Sequence, residues 1–133
     1  MQRRQSERGA AALEFALVVP VLLVLVLGIA EFGRAFYTQI TLSAAAREGV
    51  RVMALSTTPA TAVANAKTAT INAATGLGLT GGQIVVTPGA GCPNPNTAGT
   101  QATVTINYSM PFITDMFGPS ISLHGKGVMR CNG

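Results

Sequence analysis

Between Ala10 and Ala30 the chain carries 21 residues with one charge, the carboxylate of Glu14. As a helix rising about 1.5 Å per residue, this run spans roughly 30 Å, the hydrocarbon thickness of a bilayer. Pro20 lies inside it. In the interior of a soluble helix a proline costs about 3 kcal/mol, because it removes an N–H and crowds the carbonyl four residues earlier. In a membrane helix, neighbouring groups re-satisfy the freed backbone. The segment therefore reads as a transmembrane helix. Arg3, Arg4 and Arg8 precede it, with only Glu7 opposing them. The positive-inside rule then sets a cytoplasmic N-terminus and an exported remainder. The competing reading is a cleaved signal peptide, whose apolar region is usually shorter, about 7–15 residues, and ends at a small-x-small site. Gly28 and Ala30 form only a weak version of that site.

The helical pattern continues past the lipid. Phe32, Phe36, Ile40, Ala44 and Val50 recur at near-helical spacing, while charges arrive at Glu31, Arg34, Arg47, Glu48 and Arg51. Gly33 and Gly49 weaken this pattern without ending it. The first strong breaker is the stretch STTPA, where Thr58 and Pro59 look like an N-cap and first-turn proline opening a second helix. The expectation is one helix of about 45 residues, membrane-embedded first and amphipathic after. A simple anchor needs no such extension; it suits a helix that packs against other copies of itself.

The rest reads as a small exported domain. Residues 59–75 are alanine-rich and helical, with Gly76 as the stop. After a glycine-rich connector the period becomes two: Ala102, Val104, Ile106, Tyr108 and Met110 face one way, threonines, asparagine and serine the other. QIVVT is a shorter strand, and ISLHGKGVMRC a third, with Ile121, Leu123, Met129 and Cys131 on its apolar side. The fold expected is α+β and pilin-like: a long N-terminal helix, a short second helix and a small antiparallel sheet. Its organisation is a cytoplasmic leader (1–9), a transmembrane helix (10–30), an amphipathic continuation (31–56) and an exported domain (57–133). In an oxidising compartment, Cys92 and Cys131 are expected to pair; the alternative is two unpaired small core residues.

Several function classes are excluded. Only 11% of residues are charged, against about 25% in ordinary soluble domains. The basic excess sits largely in the leader rather than on a folded patch, so no nucleic-acid partner is expected. The single histidine, His124, falls on the polar face of a strand, and no CxxC, HExxH, P-loop or paired-carboxylate pattern occurs. No enzyme activity, metal or cofactor is expected. The NYS sequence at Asn107 fits a glycosylation acceptor by letter only, since it lies in a strand.

Glu14 remains. Near a helix start, a carboxylate is favoured by the dipole by about 0.3–1 kcal/mol, but that leaves Gly9 unexplained. If a protease cuts after Gly9, Ala10 gains a free amino group one helical turn from Glu14. Among staggered copies the carboxylate of one chain can then pair with the ammonium of another. A matched pair fixes register where a single buried charge is penalised.

Gly9-Ala-Ala-Ala-Leu-Glu14-Phe15 resembles a type IV prepilin processing site, in the form used by the Flp/Tad (tight adherence) pilus system. Arg8-Gly9-Ala10, Glu14-Phe15, Pro20, Gly28 to Arg34 and Ala45 to Gly49 are similar to the hallmarks of the TadE-like family. The resemblance covers about residues 8–55. It implies a pseudopilin or minor pilin of the bacterial inner membrane needed for Tad pilus assembly and surface adhesion. A prepilin peptidase acting after Gly9 is implied as a partner, as are other Tad pilins and pseudopilins and the inner-membrane assembly platform. Self-association through the N-terminal helix follows from the same reading. An uncleaved bitopic scaffold of the assembly machine is the alternative.

Overall fold

A computed structural model describes residues 3–93 and 99–131, with side chains from Gly9 onward. The leader arginines Arg3, Arg4 and Arg8, whose charge set the expected orientation, have side chains outside the described residues. The chain divides into two compact units, Met1–Arg34 and Ala35–Gly133. Helix α1 (Arg3–Leu55) contributes to both. It is 53 residues long rather than about 45, because it begins inside the basic leader, where arginine, glutamine and glutamate are good helix formers.

In the first unit α1 is apolar all round. From Leu13 to Ile29 every large apolar side chain except Val19 is exposed. A helix hydrophobic on every side is stable only in a protein core or in lipid. This one is long and apolar enough to cross a membrane.

In the second unit, α1 ends at Leu55, and Thr58 takes the extended backbone that a following proline imposes. Helix α2 (Pro59–Ala73) then starts with proline in its first turn. Thr58 occupies the expected N-cap position, but no side-chain cap bond forms. Its carbonyl instead accepts the backbone N–H groups of Thr61 and Ala62 at 3.2 and 3.1 Å. Gly76, at φ +91°, lies just past the end of α2, as its place in the sequence predicts. Strands β1 (Ile84–Thr87), β2 (Gln101–Pro111) and β3 (Ser120–Arg130) form an antiparallel sheet in the order β1-β2-β3. Ile84 pairs with Ile106 and Val104 with Gly127. Ala102, Val104, Ile106 and Met110 are buried as their alternation requires.

Of the apolar and small residues that recur along the continuation of α1, Val50 is buried, whereas Phe32, Phe36 and Ile40 are 69, 70 and 54% exposed and Ala44 is exposed too. The buried stripe is instead Thr38, Leu42, Ala45, Ala46, Gly49, Val50 and Met53. The reason is distance. A Cβ built on Gly125 would lie 2.5 Å from the carbonyl oxygen of Leu42, and one on Gly127 2.5 Å from that of Ala46. Backbone thus rests on backbone, and a phenylalanine at that seam has no room. Gly49 does the same toward α2, where an added Cβ would collide with the Thr70 hydroxyl. One assignment is corrected: Met129, expected on the apolar side of β3, is exposed at the end of that edge strand although Ala102 opposite it is buried.

Cys92 and Cys131 are joined, with Cα atoms 5.6 Å apart across a separation of 39 residues. Both are buried. Closing a loop of that size stabilises the fold by about 4 kcal/mol in the chain-entropy account. Gly91, at φ +88°, sets the loop against α2: a Cβ there would lie 2.5 Å from the Pro59 carbonyl oxygen.

Candidate functional site

The helix head presents the residues singled out by sequence. Gly9, Ala10, Glu14 and Phe15 all lie on α1 and are exposed. Ala10 and Glu14 are four apart, hence neighbours on one face. Ala11, Glu14, Phe15 and Val18 line a shallow hollow on the helix surface. Among the described residues Glu14 has no ion-pair partner. A Cβ built on Gly9 meets nothing within 4 Å. Packing therefore does not account for a glycine at this point, although glycine costs a helix about 1 kcal/mol relative to alanine.

Further along, Glu31 departs from its expected role as a solvated charge. It is 1% exposed, and its carboxylate lies 3.6 Å from the Arg34 guanidinium. The sequence marked it only within the Gly28 to Arg34 hallmark, and nothing there foretold its burial. Near the end of α1, Arg51 donates two hydrogen bonds to Glu48, at 2.8 and 3.0 Å. These hold the Glu48 carboxyl below its ordinary range and Arg51 above its own. Both groups are open to solvent, so screening leaves the pair a local tether rather than a source of stability.

The sheet offers little chemistry. His124 is exposed on β3, with Nδ1 2.9 Å from the Asn107 side-chain oxygen, and its backbone carbonyl accepts from the Gln39 amide at 2.7 Å. No cluster of metal-ligating side chains occurs among the described residues. What the molecule presents is a surface: a bare apolar helix headed by Gly9 and Glu14.

The family model described as TadE-like protein matches residues 9–51. The TadE-like match begins at Gly9 and ends at Arg51, so it takes in helix α1 alone and leaves the sheet outside. No curated protein and no solved structure matches the chain.

Proposed function

We propose that this protein is a membrane-anchored pseudopilin or minor pilin, required to assemble Tad pili and hence for surface adhesion. The observation that carries the reading is the TadE-like match starting at Gly9, together with a glycine there that packing does not explain. In this account a prepilin peptidase cuts between Gly9 and Ala10. The basic leader holds the N-terminus in the cytoplasm, residues 10–30 cross the inner membrane, and the remainder is exported. Released helices then pack with other Tad pilins on the inner-membrane platform, each Glu14 meeting the Ala10 ammonium of a neighbour.

An uncleaved scaffold is the second reading, and one observation favours it. α1 is helical from Arg3 straight through Gly9, so the scissile bond must unwind to be cut. Gly9 lowers that cost by its poor helix propensity, about 1 kcal/mol below alanine. Both readings predict that a strain lacking the protein displays no Tad pili and loses adhesion, restored by the full chain. Normal piliation in the deletion strain would remove the protein from the assembly pathway.

A further inference from the structure

The β2–β3 connection is an apolar tip. Between Pro111 and Ser120, the last cross-strand pair, run Phe112, Ile113, Thr114, Asp115, Met116, Phe117, Gly118 and Pro119. Ile113, Met116 and Phe117 are 65, 52 and 47% exposed. The tip is nevertheless well formed. Phe112 donates its N–H to the Pro119 carbonyl at 3.3 Å, Gly118 closes a 3₁₀ turn on Asp115, and the Phe112 and Phe117 rings lie 6.2 Å apart. Contiguous exposed apolar patches on a folded domain commonly mark contacts with protein or membrane.

Its place in the domain says what covers it. Along the second unit's stretch of α1, Gly127 sits at Ala46 and Gly125 at Leu42. His124 then reaches Gln39, and Met110 reaches Thr38 at 3.6 Å. The hairpin therefore climbs α1 toward its N-terminal side, and the tip lies beyond Thr38, at the end where Ala35 enters the domain. Tyr37 and Phe36 are exposed at that same level, at 68 and 70%. Ala30, the last residue of the apolar run, is five residues from Ala35, no more than about 18 Å even fully extended. The domain's charges, apart from Asp115, fall at Arg47 and beyond on α1, on α2, or on β3 from Lys126 onward. One end of the domain is thus aromatic and apolar, the composition of a membrane–water interface.

We infer that the β2–β3 tip, through Ile113, Met116 and Phe117, inserts into the outer surface of the bilayer that α1 crosses, a second and shallow membrane contact. The occupant is lipid at headgroup depth, with Phe36 and Tyr37 in the same interfacial layer and Asp115 on its water side. This rests on the membrane-anchored reading above. It gives the exported domain a fixed standing height on the membrane before assembly.

The chain contains no tryptophan, so a single introduced indole reports its own surroundings. The full chain is reconstituted into phosphatidylethanolamine–phosphatidylglycerol vesicles doped with phosphatidylcholine brominated near the headgroup or deep in the acyl chain. Leu22→Trp reports the span, Phe117→Trp the tip, and Val85→Trp the outer face of the sheet. The expected result is strong quenching at position 117 by shallow bromine, at 22 by deep bromine, and none at 85. Met116→Trp repeats the tip measurement without touching the Phe112–Phe117 ring pair, and an intact Cys92–Cys131 peptide certifies the fold of each variant. If 22 is quenched while 117 and 116 stay as bright as 85, the inference is overturned and anchoring stands. If 22 is not quenched, the anchored reading itself fails. A blue-shifted but unquenched indole at the tip assigns it to a protein surface, and also overturns the lipid contact.

Discussion

Gly127→Val is expected to prevent the sheet from closing on α1 and to leave the domain protease-sensitive. The glycine's missing side chain is occupied by the carbonyl group of Ala46: an added Cβ lies 2.5 Å from its oxygen and 2.7 Å from its carbon. Neither atom can rotate away as a side chain would, so helix and sheet must part. Overpacking a core ordinarily costs 1–3 kcal/mol. A shift at this seam also opens contacts of Leu42, Ala46, Val104 and Ile106, all buried, so the loss should reach about 3 kcal/mol or more, against roughly 5–15 kcal/mol for a whole domain. Gly82→Val is the control, because a Cβ there meets nothing within 4 Å. Urea unfolding of the detergent-solubilised protein should show a much lower midpoint for Gly127→Val and little change for Gly82→Val. Equal midpoints would mean that the seam is not tight.

Glu14→Ala is expected to abolish piliation at unchanged protein level. Insertion should become easier, since a carboxylate at mid-bilayer costs about 2.5–3.5 kcal/mol and less near a helix end, where it reaches the interface. Processing should persist if, as proposed, the peptidase reads mainly Gly9. Assembly should fail, because the Ala10 ammonium of the neighbouring chain is left without its partner. Glu14→Asp keeps the charge but loses a methylene of reach and should rescue only partially. Glu14→Gln separates charge from hydrogen bonding: it behaves as alanine if pairing is ionic. Surface piliation is scored beside a membrane-fraction blot. Normal pili from Glu14→Ala would reduce Glu14 to a helix-start charge favoured by the dipole.

The sheet was legible because alternation at period two survives even a residue as weak as Ala102, and β2 buries its expected face from Ala102 to Met110. The two helices and the disulfide were equally plain. What the sequence did not show is which face of α1 meets the domain core: alanines and a threonine do, while Phe36 and Ile40 stay exposed. Hydrophobic pattern measures affinity for any apolar phase, and near a membrane two such phases compete for one helix. Gly49 reads only as a weak point in the helix, although its missing side chain makes room for Thr70, and Gly125 and Gly127 each mark a close approach of strand to helix backbone. A lone sequence gives glycine no way to announce its neighbour. Gly9 was the reverse case, legible from the motif and unexplained by packing.

Release of the chain as a pilin after Gly9 is read from the intact mass of the protein extracted from membranes. The account predicts a species lacking residues 1–9 and beginning at Ala10, and retention of the full leader in Gly9→Val, where a β-branched side chain blocks close backbone approach. A wild-type mass that retains the leader, or one cut beyond Ala30, would contradict it.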